Sequence, residues 1–219
     1  MSAFDAARQA RRDSLAQAIA AIDAQLSEAN RARETALVSC RRVIRAAGSS
    51  IRAVHRLDAD AARDLADGAE VALREAQRVL SPFPAVGHAG FLHDAEKEYT
   101  EARAVATLVA GGPMPTPAEL GVPASAWMRG VAEAASELRR HLLDRLREGG
   151  VERGESLLAA MDEVYDALVV VDYPDALTNG LRRTLDALRA VLERSRGDVT
   201  TTVLQTRLQG AIEGLSPPA

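Results

Sequence analysis

The chain has 219 residues, a formal net charge of −4 and one cysteine, Cys40. The acidic balance argues against a protein that coats nucleic acid by bulk charge, and a single cysteine excludes an intrachain disulfide framework. Hydrophobic residues make up 47% of the chain but aromatic residues only 3%. Because alanine, leucine, arginine and glutamate dominate the rest, the composition favours helices over strands and predicts an all-α fold.

The sequence shows no sign of a membrane or secretory protein. No apolar run approaches the ~20 residues that a membrane-spanning helix needs. The first residues, MSAFDAARQARRD, lack the apolar centre of a signal peptide. A single cysteine also fits a reducing compartment, so we expect a cytoplasmic protein without membrane contact.

Helical periodicity is already clear at the start of the chain. Residues 2–47 contain no proline or glycine. Four apolar residues repeat there at steps of four and three: Leu15, Ile19, Ile22 and Leu26. This pattern predicts one long first helix that extends towards Arg56. Its length exceeds that of usual globular helices, which indicates that it spans the molecule or contacts a partner.

Six further helices are expected after the first. The sequence predicts them at about 58–80, 91–110, 124–147, 154–171, 174–196 and 198–212, with a single helical turn at 118–120. Residues 124–147 carry a regular apolar stripe, and the other helices are expected to pack around them. The sequence therefore predicts a single-domain, seven-helix bundle over residues 1–213 and a disordered tail over residues 214–219.

Paired carboxylates are the clearest sign of chemistry. Glu98 and Glu101 are three residues apart on the predicted third helix, and Glu133 and Glu137 are four apart on the fourth. Each pair therefore projects from one side of its helix. If the two helices are neighbours, four carboxylates converge on one or two divalent cations. Mg²⁺ or Mn²⁺ with carboxylate and water ligands is typical of phosphodiester hydrolysis.

A solvated surface would give the same carboxylate spacing, since 26% of the residues are charged. On a helical wheel, Glu133 lies almost opposite the apolar stripe of its helix and Glu137 lies on the flank. The four histidines show no metal-binding spacing, and the sequence has no glycine-rich phosphate loop, GxSxG motif or cysteine pair. These absences exclude most enzyme classes and leave a metal site or an ordinary polar face.

Seven arginines lie between positions 31 and 56, against one acidic residue, Glu34. Four of them follow each other at steps of four, seven and four and so line one side of the first helix: Arg41, Arg45, Arg52 and Arg56. A row of guanidinium groups suits a phosphate backbone and can stack on bases. The alternative is that these arginines pair with acidic residues of neighbouring helices.

Four segments resemble the translin/Trax family. KEYTEA at 97–102 resembles a QEYVEA-type stretch of Trax, the nuclease partner of translin, and GVAEAASELRR at 130–140 resembles its GVADLTGELMR stretch. VYD at 164–166 resembles the VYDGF segment of the family, and IRAVHR at 51–56 resembles the IFLLHR that ends its first helix. The order and spacing of the four segments agree over residues 31–194.

The resemblance implies a seven-helix translin fold, closed hollow oligomers and binding of single-stranded RNA or DNA. For Trax-type members it also implies metal-dependent endoribonuclease activity. The family's acidic catalytic positions fall on Glu98, Glu101, Glu133 and Glu137, the predicted ligands of Mg²⁺ or Mn²⁺. The third position is commonly aspartate in Trax and is glutamate here. Because translin-type subunits lack the full acidic set, the resemblance places this chain on the Trax side.

The leading hypothesis is a Trax-like cytoplasmic endoribonuclease that cleaves single-stranded RNA by direct hydrolysis. It is expected to form a homo-oligomer, an octamer or a hexamer, with the carboxylates facing an inner chamber and the arginines contacting phosphates. One alternative is a non-catalytic, translin-type protein that binds single-stranded RNA or DNA. Another is a structural helical bundle that binds protein.

Overall fold

The computed structural model describes residues 3–215, and all regular structure in that range is helical. Its long helices are α1 (Ala3–His55), α2 (Ala59–Leu80), α4 (Phe91–Ala110), α6 (Ala124–Arg147), α7 (Val151–Val169) and α9 (Leu181–Leu215). Single-turn helices lie in the connections: α3 (Pro84–Gly87), α5 (Pro117–Leu120) and α8 (Asp175–Thr178). The predicted all-α fold with a long first helix is confirmed.

Helix α6 lies at the centre of the bundle. It packs against α4, α7 and α9, and its stripe residues Val131, Leu138 and Leu142 are buried. These side chains join residues of all the other long helices in the main core. Because each fully buried valine or leucine contributes about 1.5–3 kcal/mol, this core fixes α6 firmly and makes it a rigid base for the polar residues on its other side.

Helices α4 and α6 run side by side in the same direction. The segment that connects them therefore has to return along the length of the bundle. A hydrogen bond of 3.1 Å between His93 and Ser125 joins the first turns of both helices. The returning segment is held against α2, where Arg74 donates to the carbonyl oxygens of Leu120 at 2.8 Å and Gly121 at 3.1 Å. The two bonds from Arg74 hold the chain just before α6 against α2.

The end of the chain differs from the sequence prediction. Separate helices were expected at 174–196 and 198–212, but α9 continues through Gly197 after the single-turn α8. A helical glycine costs only about 1 kcal/mol relative to alanine. The burial of Leu192 and Val199 on either side of it offsets this cost. The predicted break at Gly197 is therefore absent.

Both ends of the described chain extend beyond the packed bundle. Side chains from residue 4 to residue 28 of α1 are exposed, as are those from residue 204 to residue 213 of α9. Of the predicted tail, Gly214 and Leu215 belong to α9, and residues 216–219 lie outside the described residues. Over residues 3–215, no helix combines the length and the apolar character needed to cross a membrane.

Candidate metal centre

The close approach of α4 and α6 depends on Gly130. A Cβ atom at this position would lie 2.7 Å from the carbonyl oxygen of Lys97 and 2.7 Å from Cβ of Thr100. Any side chain here would therefore push the two helices apart. Because the glycine lets the backbones approach, residues less than one turn further along each helix face each other across a short gap, and these residues are glutamates.

Three of the four predicted carboxylates meet between α4 and α6. One oxygen each of Glu98, Glu101 and Glu133 lies within 4.8 Å of the others. The side chains of Glu98 and Glu133 are both 28% exposed, so the group is shielded but open to solvent. Three carboxylates at this spacing can share one cation, and an oxygen-only donor set suits Mg²⁺ or Mn²⁺ better than metals that prefer imidazole or thiolate.

Lys97, the only lysine of the chain, lies inside this group. Its ammonium donates to Glu98 at 2.9 Å and also to Glu133, and its side chain is only 10% exposed. Burial opposes the ammonium charge, but the carboxylates of Glu133 and Glu98 raise the pKa of Lys97 above its usual value. Sequence reasoning gave this residue no role, although its place in KEYTEA, beside Glu98, was a usable signal.

Glu101 differs from an ordinary surface carboxyl group. Burial, and then the charge of Glu98, raise the pKa of Glu101 to about 8. The nearby ammonium of Lys97 opposes this rise, whereas Glu133 and Glu137 add to it. A divalent cation favours the ionised form of a carboxyl group, so cation binding would displace a proton from Glu101 at neutral pH.

The fourth predicted carboxylate, Glu137, has a different partner. Its Oε1 atom lies 2.8 Å from Nε2 of His55, at the end of α1, and the side chain of His55 is only 4% exposed. The structure therefore places Glu137 one turn along α6 from Glu133, beside the group of three rather than within it. Local spacing did not reveal His55 because the contact joins residues 82 positions apart. The only signal was its place in the IRAVHR segment.

The four arginines of the predicted nucleic-acid-binding row are exposed on α1: Arg41, Arg45, Arg52 and Arg56. Within residues 3–215, none of them forms an ion pair with an acidic side chain. Arg52 donates to Oγ of Ser49 at 2.8 Å. It precedes His55 by three residues, so this end of the row lies near the contact between His55 and Glu137. The expected alternative, pairing with neighbouring acids, is not seen for these arginines.

Comparison with known proteins gives a distant relative in sequence. No protein-family model matches the chain. An uncharacterized protein of Methanocaldococcus jannaschii is 26% identical over 186 residues, which cover 84% of this chain and 82% of the relative. The similarity thus extends over most of both chains.

Solved structures give a clearer match. The crystal structure of AfC3PO is similar with a TM-score of 0.79 and 28% identity, covering 85% of this chain and 97% of that chain. AfC3PO in its complex with duplex RNA gives a TM-score of 0.78 at the same identity and coverage. Apo-NeC3PO matches with a TM-score of 0.76 over 84% of this chain and 96% of that chain, at 17% identity, and so shows the fold alone. C3PO is the translin/Trax complex, so these matches support the resemblance to the translin/Trax family that the four sequence segments indicate.

Proposed function

We propose that the chain is a metal-dependent endoribonuclease that cleaves single-stranded RNA. The observation that carries the proposal is the group of three carboxylate oxygens within 4.8 Å, from Glu98, Glu101 and Glu133. Mg²⁺ or Mn²⁺ at such oxygens supplies an activated water and neutralises charge on a phosphate. The complex of AfC3PO with duplex RNA, at 28% identity to this chain, supports RNA as the class of substrate.

The side chains of the site have separate tasks in this proposal. Lys97 holds the carboxylates of Glu98 and Glu133 in place through its two hydrogen bonds. His55 holds Glu137 one turn away, where its carboxylate can orient a water molecule or accept its proton. No side chain is an obvious nucleophile, so we expect direct hydrolysis by water.

The exposed arginine row supports binding of a nucleic-acid strand next to this site. Its guanidinium groups keep their donors available, and they follow α1 for about four turns. Guanidinium groups bind phosphate oxygens in a bidentate manner and also stack on bases. The row therefore supplies a surface for the backbone of the strand, while the carboxylates supply the chemistry.

We also infer a closed, hollow homo-oligomer, an octamer or a hexamer, that acts in the cytoplasm. Its support is an apolar stripe on the protruding half of α1, whose members are 50–63% exposed: Leu15, Ile19, Ile22 and Leu26. Monomeric proteins rarely leave an extended apolar patch in water. Copies of the chain that pack against this stripe would remove it from water.

Cleavage of a short single-stranded RNA in Mg²⁺ or Mn²⁺ tests the proposed activity. The wild type should cut, and Glu133→Ala/Glu137→Ala should not. The isosteric Glu101→Gln should lower the cleavage rate by about 100-fold, because the amide weakens the binding of the metal ion. Glu163→Gln, which changes an exposed carboxylate of α7, is the matched control and should cut normally. Equal cleavage by the wild type and the double variant would reject the nuclease.

A non-catalytic, translin-type protein that binds single-stranded RNA or DNA is the second candidate. Two observations favour it: Lys97 already neutralises part of the carboxylate charge, and the arginine row is independent of the carboxylates. It predicts binding that survives Glu133→Ala/Glu137→Ala and fails when Arg45, Arg52 and Arg56 are neutralised. Undetectable affinity for nucleic acid at low salt would instead favour a structural bundle that binds protein.

A further inference from the structure

A cleft of about 650 Å³ with a mixed apolar and polar lining opens at the end of the bundle where α4 and α6 begin. Its lining includes His93 of α4, Ser125 of α6, and Asp175 and Asn179 from the α8 turn. Nε2 of His93 lies 3.1 Å from Oγ of Ser125, across the two helices. The volume is typical of a small-molecule site, and none of the residues to which the proposed reaction assigns a task lines this cleft.

The cleft and the carboxylate group lie along one strip of the α4–α6 interface. On each helix, residues spaced by four connect the cleft to the carboxylates. They are His93, Lys97 and Glu101 on α4, and Ser125, Arg129 and Glu133 on α6. Four helical residues rise about 6 Å, so the two places are about 12 Å apart along the helix axes. At about 3.4 Å per nucleotide along a stacked strand, nucleotides a few positions apart in one strand can reach both places.

Basic side chains occupy the middle of this strip. Arg129 is 22% exposed, and its only acidic partner within the described chain is Glu133, at 3.5 Å from Nη2. Its Nε atom is buried without a hydrogen-bond partner, so the guanidinium is incompletely paired. Together with Lys97, it places positive charge between the cleft and the carboxylates. Such a guanidinium retains Nη donors for a phosphate oxygen.

The cleft itself suits an uncharged polar group better than a phosphate. Burial, and then the charge of Arg129, lower the pKa of His93, which favours a neutral ring. Asp175 and the buried Glu96 also line the cleft, and their carboxylates would repel a phosphate there. Imidazole, hydroxyl and amide groups instead offer donors and acceptors for a ribose or the edge of a base.

We propose that this cleft binds the sugar and base of a nucleotide a few positions from the one that is cut, with Arg129 contacting a phosphate between them. His93 and Ser125 contact the sugar or the base edge. The inference rests on the proposed function for the position of the cut. It assigns the cleft to an RNA strand, and its binding part can be measured without any cleavage.

Binding of a fluorescent single-stranded RNA in EDTA tests the inference. Ala176→Trp changes an exposed residue of the cleft lining, so the indole fills the cleft without disturbing the core. We expect about tenfold weaker binding for this variant, and a loss of about threefold or more for Ser125→Ala and His93→Gln. Ser136→Ala on the same helix removes a hydroxyl whose one hydrogen-bond partner within residues 3–215 is the carbonyl of Ala132, and it should bind as the wild type does.

RNA binding by the cleft and RNA cleavage are measured separately, so the two hypotheses can be rejected independently. Cleft variants that bind RNA as tightly as the wild type would overturn the inference, whether or not the wild type cleaves RNA. Weaker binding by these variants, together with an inactive wild type, would support the cleft and reject the nuclease. The affinity for Mn²⁺, measured by calorimetry, should not change in the variants, and a parallel loss of Mn²⁺ binding would overturn the assignment of a separate subsite.

Discussion

Among single residues, Glu101 responds most clearly to its surroundings, because its protonation depends on burial and on the charges of the neighbouring carboxylates. The pKa of this side chain is about 8 in the folded chain, against an ordinary value of 4.5. Between these values the folded chain keeps a proton that the unfolded chain loses. The free energy of unfolding contributed by Glu101 therefore falls as the pH rises through this interval, by at most about 1.4 kcal/mol per pH unit.

Urea unfolding in EDTA at pH 6 and pH 8 measures this contribution. The metal-free wild type should lose stability between the two values, and Glu101→Gln should lose clearly less because the amide does not titrate. Glu163→Gln, with its exposed side chain, should behave as the wild type does. The same pH dependence in the wild type and in Glu101→Gln would contradict the raised pKa.

The sequence predicted four acidic residues for the candidate site, three of which the structure brings together, but it did not predict their partners. A helical wheel placed Glu133 opposite the apolar stripe of its helix, a position that suggests solvent. In the structure α4 covers that side of α6, because a central helix is packed on more than one face. Lys97 and His55 were missed because their contacts with Glu133 and Glu137 join residues 36 and 82 positions apart, which no local spacing reveals.

At the scale of helices, the α4–α6 contact should depend on the missing side chain at Gly130. Gly130→Ala places a methyl group against Thr100 and the backbone of Lys97. We expect a loss of about 1–3 kcal/mol in unfolding free energy from overpacking. Affinity for Mn²⁺ should fall as well, since the carboxylates are carried apart with the helices.

The matched control for this variant is Gly68→Ala. Gly68 lies within α2, and a Cβ atom there would meet no other atom within 4 Å. Alanine should therefore raise the unfolding free energy by about 0.5–1 kcal/mol and leave Mn²⁺ binding unchanged. Thermal unfolding and calorimetry measure both quantities, and a Gly130→Ala variant that behaves as Gly68→Ala does would contradict the close helix contact.

The arginine row on α1 should determine how RNA binding depends on salt. Replacing Arg45 and Arg52 with glutamine should weaken binding of single-stranded RNA and lower the slope of log affinity against log salt by about one per lost phosphate contact. Arg183→Gln/Arg189→Gln removes two exposed arginines of α9 and should change the slope little. Equal slopes for both double variants would mean that the row does not contact phosphates.

Helix boundaries followed the sequence wherever the local and tertiary signals agree. The predicted helices at 91–110 and 124–147 coincide with α4 and α6, since proline or glycine residues mark their limits. The predicted helix boundary at Gly197 was wrong. A glycine inside a helical segment need not end the helix when residues on both sides of it are packed against the core. Buried residues on both sides of Gly197 keep α9 continuous, and single-sequence reasoning does not weigh such packing.

At the scale of the whole molecule, the apolar stripe of α1 should control assembly. Leu15→Gln/Ile19→Gln changes two exposed side chains that make no core contact, so the fold should persist. We expect the mass of the particle to fall to that of a smaller species, measured by light scattering or native mass spectrometry. Val71→Gln, on the exposed face of α2, should leave the mass unchanged.

A full-size particle from the double variant would show that this stripe does not join the subunits. The composition predicted the all-α fold class, the length and periodicity of the first segment predicted an unusually long helix, and both are present. They did not reveal the number of subunits, because the apolar pattern of one helix does not determine how copies are oriented relative to each other. The single-domain boundary at residue 213 likewise stays a prediction.

Diffraction from crystals soaked in Mn²⁺ shows whether the α4–α6 carboxylates bind a divalent cation. We expect an anomalous peak between the oxygens of Glu98, Glu101 and Glu133, and the loss of this peak in Glu101→Gln. A wild-type crystal without a peak at this position, or with Mn²⁺ bound only elsewhere, would show that these carboxylates are not a metal site.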